Sequence, residues 1–74
     1  MVEKPFDVLK NSIGKQVLIR LKGGGEFRGI LKSFDTHMNL VLESAEELKN
    51  NESEKKLGLL VVRGDNILFV SPEL

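Results

Sequence analysis

Two segments near the C-terminus, Leu57-Gly58-Leu59-Leu60-Val61-Val62 and Ile67-Leu68-Phe69-Val70, are apolar at every alternating position or nearly so. This constrains the fold more than any other feature. Successive side chains of a strand point to opposite faces, so a strand with one wet face alternates in polarity. These two do not alternate. A chain of 74 residues makes one domain with one small core. A barrel of that size has a single inside, so the second apolar face of each strand needs another cover. The simplest cover is a second copy that pairs edge to edge, because an open edge of this composition invites aggregation. Such pairing joins two different edges, is therefore head-to-tail, and closes naturally into a ring. A short N-terminal helix is the alternative cover, but two turns of helix cannot hide both strands.

Composition narrows the remaining routes to stability. There is no cysteine and only one histidine, so neither a disulfide nor a structural zinc site is expected, and no metal or cofactor is assigned. Oligomerisation is then the way a small core gains support. Met1-Val2-Glu3-Lys4-Pro5 lacks a signal-peptide core, and no apolar run is long enough to span a bilayer. The expectation is a soluble, cytoplasmic protein with no membrane contact. Lys plus Arg and Asp plus Glu both number 11, so bulk charge offers nucleic acid no long-range attraction. Locally the balance is uneven. Lys10, Lys15, Arg20, Lys22, Arg28 and Lys32 face one acidic residue in their stretch, Glu26, whereas Asp35, Glu43, Glu46, Glu47, Glu52 and Glu54 face only Lys49 in theirs. The fold decides between a basic and an acidic face and a surface of mixed sign.

The pattern along the chain is all-β with a short N-terminal helix, as a single domain over residues 1–74. Pro5 suits a first helical position, Asp7 the positive end and Gly14 a left-handed stop, which gives a helix over about residues 5–12 with Phe6, Leu9 and Ile13 on one side. Val17, Ile19 and Leu21 alternate in a first strand, and Gly23-Gly24-Gly25 fits a hairpin. Glu26 to Phe34 reads as a second strand, in which Gly29 permits a sharp bend or a close backbone approach. Leu40, Leu42 and Ser44 share one face of a third strand. Leu48–Lys56 is charged and turn-rich, which predicts an exposed, mobile loop. Arg63-Gly64-Asp65-Asn66 reads as a hairpin turn between the last two strands, giving five strands and a barrel from about residue 15 to 72.

The chemistry concentrates in Asp35-Thr36-His37-Met38-Asn39. Residues two apart project the same way, so Asp35, His37 and Asn39 can act together: an imidazole that stacks, an amide that donates and accepts, and a carboxylate that fixes the amide. These suit a planar polar ligand such as a base. They are also ordinary turn residues. Arg63 adds a planar cation for stacking, and Gly64 leaves a backbone amide approachable. Arg63-Gly64-Asp65 happens to spell an adhesion tripeptide, a reading that an intracellular chain disfavours. Asp35 and His37 as an acid–base pair would make an enzyme, but no nucleophile or metal set accompanies them, so no catalytic residue is assigned.

Gly14, Val17, Ile19, Leu21-Lys22-Gly23, Phe27-Arg28-Gly29-Ile30-Leu31 and Asp35-Thr36-His37-Met38-Asn39-Leu40-Val41-Leu42 together resemble the first motif of the Sm and Sm-like RNA-binding proteins, and Val62-Arg63-Gly64-Asp65-Asn66-Ile67 resembles the second. The likeness is to the archaeal type. It implies the Sm fold, a Src-homology-3-like small barrel of five strongly bent antiparallel strands after a short helix. It also implies a ring, heptameric in most archaeal members, in which the fourth strand pairs with a neighbour's fifth. Single-stranded uridine-rich RNA would bind at the inner rim of the pore. His37 and Arg63 would sandwich a uracil, Asn39 would bond its edge, Asp35 would hold Asn39, Gly64 would offer its amide, and Asp65 lies close by. Uracil is expected over cytosine because Asn39 can match its carbonyl and imino groups, and purine bulk is a second expected filter. The alternative is a structural ring that recruits proteins without reading bases.

Overall fold

The computed structural model describes residues 4–50 and 52–73. Helix α1 spans Pro5–Asn11, with Pro5 in its first turn, Asp7 near its positive end and Lys10 near its negative end. Seven residues cannot hold a helix alone. Leu9 buries itself in the core, while Phe6 stays half-exposed and meets the Phe34 ring edge-on at 5.2 Å. Ile13 does not share this face. The helix ends before it, the chain turns through Gly14 at φ 83°, and Ile13 is left exposed.

Five strands follow: β1 Gln16–Leu21, β2 Glu26–Phe34, β3 Leu40–Lys49, β4 Glu52–Val62 and β5 Ile67–Pro72. They form one antiparallel sheet in the order β4-β3-β2-β1-β5. Val17, Ile19, Leu31, Leu40 and Leu42 are fully buried, with Leu9, Ala45 and Val62 in the same cluster. The sheet bends where the sequence marks Gly29. A Cβ there would lie 3.1 Å from both the Ala45 Cα and the Glu43 carbonyl oxygen, so a larger residue would push β3 back by a few tenths of an ångström.

Three further expectations are corrected. Ser44 does not continue the inward face of β3. It adopts φ 52° at a register shift, and the phase slips so that Ala45 points inward instead. Most of the expected loop Leu48–Lys56 is strand, because its charges alternate usefully across the hairpin: Glu46 faces Lys56, Glu47 faces Lys55, and Leu48 is buried opposite Ser53. Asn50 takes the left-handed turn conformation at φ 54°, and Asn51 lies outside the described residues. Finally, Arg63–Asn66 is no hairpin turn. β4 and β5 occupy opposite ends of the sheet, and Gly64–Asn66 is a single 3-10 turn that carries the chain from one edge to the other.

Both terminal strands keep an unpaired edge and an apolar outer face. Leu59 and Val61 of β4 are 70% and 65% exposed, and Leu68 of β5 is 61% exposed. The surplus read from the sequence is therefore real in the protomer. The charges are interleaved. Pairing of β2 with β3 puts Arg28 2.9 Å from Glu46 and Lys32 3.4 Å from Glu43, and pairing of β1 with β2 puts Arg20 4.0 Å from Glu26. Such pairs contribute little stability, but they give a surface of mixed sign. No helix among the described residues is long and apolar enough to cross a membrane.

Candidate functional site

Strand pairing alone brings the two polar segments together. Leu40 is the first residue of β3, and it lies opposite both Phe34, the last of β2, and Val62, the last of β4. The residues just before Leu40 and just after Val62 must therefore meet.

Asp35 organises the first segment. One of its oxygens, Oδ1, accepts the backbone N–H groups of His37 at 2.9 Å and Asn39 at 3.0 Å, while Oδ2 accepts the Asn39 side-chain Nδ2 at 3.0 Å. The backbone closes as well, with Asp35 N donating to Asn39 O and Met38 N to Asp35 O. An aspartate that binds nearby main-chain donors in this way is a built-in turn former. The hydrogen bonds, first from the Asn39 side chain and then from the Asn39 and His37 backbone, hold the Asp35 carboxyl below the ordinary aspartate range.

The second segment locks onto the first through Gly64. Its backbone N–H donates to the Asn39 Oδ1 at 2.8 Å. A side chain at this position would overlap the His37 carbonyl oxygen and lie 2.8 Å from the Met38 carbonyl carbon, so glycine is required by contact. Beside it Arg63 lies 3.3 Å from Asp65. The Lys22 N–H donates to the Asn66 carbonyl, which ties the glycine hairpin to the same 3-10 turn.

The result is a concavity of about 550 Å³ lined by His37, Met38, Asn39, Arg63, Gly64 and Asp65. Five of the six residues picked from the sequence line it, and Asp35 stands behind Asn39. One detail differs from expectation: the Gly64 amide is engaged by Asn39 and so is not free for a ligand. Met38 borders the concavity while packing against the hydrophobic core, and its backbone is left-handed at φ 64°. Nothing in the sequence marks a methionine for that conformation, which glycine and asparagine adopt far more readily.

The engaged Asn39 amide has a fixed orientation. Its oxygen accepts from Gly64 and its nitrogen donates to Asp35, so turning it over would set N–H against N–H and oxygen against carboxylate. Each group unpaired by such a turn costs roughly 1–3 kcal/mol. What remains is one acceptor lone pair and one N–H, in a known order, on a concavity that His37 and Arg63 also line.

Residues 7–72 match the family model described as LSM domain. The chain belongs to the LSM domain family. It is 53% identical to an snRNP Sm-like protein of Methanosarcina barkeri over 72 residues, which cover 97% of this chain and all of the relative. Among solved structures, the Pyrococcus abyssii Sm protein in complex with a uridine heptamer is 48% identical with a TM-score of 0.91, over 96% of this chain and 100% of that one. A heptameric archaeal Sm protein is 53% identical with a TM-score of 0.85, over 92% and 98%. The short helix and five bent antiparallel strands are thus the LSM fold, as the motifs implied.

Proposed function

We propose that this LSM-domain protein assembles as a ring, heptameric like its relatives, and binds single-stranded uridine-rich RNA with one base in each protomer's concavity. As such it serves as a ribonucleoprotein core or RNA chaperone. The observation that carries the reading is the fixed amide of Asn39. Uracil presents a carbonyl beside an imino N–H, which match the N–H and the lone pair that Asn39 has left. Cytosine presents a ring-nitrogen acceptor beside an amino donor, the reverse order, and docked the same way round would leave desolvated polar groups unpaired.

His37 and Arg63 would hold the faces of the base, and stacking of this kind contributes roughly 1–3 kcal/mol per base. Asp35 and Gly64 position Asn39, and Asp65 positions Arg63 through their ion pair. One such pocket is weak. Repetition around a ring turns further contacts into intramolecular ones, so affinity accumulates without a positive net charge. The complementary exposed faces of β4 and β5 support the ring, since each offers an unpaired edge to a neighbour. The chemistry is binding without bond-making.

Fluorescence anisotropy with labelled oligouridine and oligocytidine tests this. The expected result is a clear preference for oligouridine. Equal binding, or none, would return the protein to a scaffold that reads no bases.

A further inference from the structure

We propose that the pocket sorts bases by the order of hydrogen-bonding groups on their edge and not by ring size, so that it takes hypoxanthine and guanine as well as uracil. The inference rests on the base-reading role proposed above, and it overturns purine bulk as a filter.

Asn39 reads only two atoms of a ligand. Gly64 N–H holds its oxygen at 2.8 Å and Asp35 holds its nitrogen at 3.0 Å, so the order of its free acceptor and donor is set by the protein. The ligand that fits has a carbonyl next to a ring N–H. Uracil has this pair, and so do hypoxanthine and guanine at O6 and N1. Cytosine and adenine carry the opposite pair. For bases that enter with the same face up, as successive nucleotides of one strand do, the division is therefore between keto and amino bases.

The walls do not enforce a size limit. A concavity of about 550 Å³ lies within the usual range for sites that take whole ligands. Arg63, which would form one face of the sandwich, has a side chain 75% exposed and among the described residues is tied only to Asp65, itself 67% exposed. An ion pair that open constrains the arginine weakly. Stacking surfaces of this sort accept any aromatic face.

The test uses the purified wild-type protein and four labelled heptanucleotides: all-uridine, and three in which alternate positions are inosine, adenosine or cytidine. Anisotropy should give an inosine-substituted oligomer within about threefold of all-uridine, while the adenosine and cytidine versions bind about tenfold more weakly or worse. If inosine is rejected as strongly as adenosine, ring size decides and the proposal is wrong. If the cytidine version equals all-uridine, the failure lies earlier, in base reading itself.

Discussion

The backbone N–H of Gly64 donates to the side-chain oxygen of Asn39 at 2.8 Å, joining two loops that are 25 residues apart in the chain. This one bond links the two sequence motifs, fixes which way round the reading amide sits, and leaves no room for a side chain at position 64.

Gly64→Ala should therefore damage the site in two ways. The added methyl overlaps the His37 carbonyl, so the 3-10 turn must move and its N–H must leave Asn39. Overpacking of this kind costs about 1–3 kcal/mol. A lower melting temperature together with loss of oligouridine binding is expected, checked by calorimetry and anisotropy. Unchanged values for both would contradict the contact argument.

Asn39→Ala separates reading from holding. Stacking by His37 and Arg63 persists, so the variant should lose discrimination between uridine and cytidine oligomers more than it loses general RNA affinity. The lost selectivity should be roughly 1–3 kcal/mol. Paired titrations with both oligomers measure it, and a uniform loss would assign Asn39 a purely structural role.

Asp35 provides a titration signature. Because its folded-state pKa is depressed, its contribution is fully present above the unfolded aspartate pKa and is lost only as pH falls through the lower, folded value. The loop should therefore hold through neutral and mildly acidic pH. In Asn39→Ala the principal hydrogen bond disappears, so the Asp35 midpoint, followed by carboxyl-carbon NMR, should rise toward the ordinary value. Coincident midpoints in the two proteins would show that Asn39 does not hold the carboxylate.

The terminal strands offer a test of assembly. Leu59 and Val61 lie on the outside of the protomer, so Leu59→Glu combined with Val61→Glu should leave the barrel folded. Buried in a β4–β5 junction, the same charges would be unpaired and strongly unfavourable. Circular dichroism should stay β-like while light scattering reports a much smaller particle. A particle of unchanged mass would place the junction elsewhere.

The sequence made much of this legible because the relevant signals are local. Gly14 and the alternation of Val17 and Ile19 each follow from short-range geometry, and Asp35 forms its turn with neighbours at most four residues away. What it hid depends on partners distant in the chain. Ser44 leaves the inward face because of a bulge set by the pairing with Gly58's strand, and Leu48–Lys56 forms a hairpin because its charges find opposite signs across the ladder. The Arg63–Asn66 turn looked like a hairpin since strands adjacent in sequence usually pair. Here the 3-10 turn sends β5 to the far edge, where it pairs with β1. Met38 was concealed for another reason, a left-handed backbone imposed by the Asp35 turn around it.

Native mass spectrometry of the protein mixed with uridine and cytidine heptanucleotides tests ring and reading site together. The account predicts closed particles of seven chains, as in the heptameric relatives, that retain one uridine heptamer and release the cytidine one. Single chains carrying RNA, or rings that keep both oligomers equally, would contradict it.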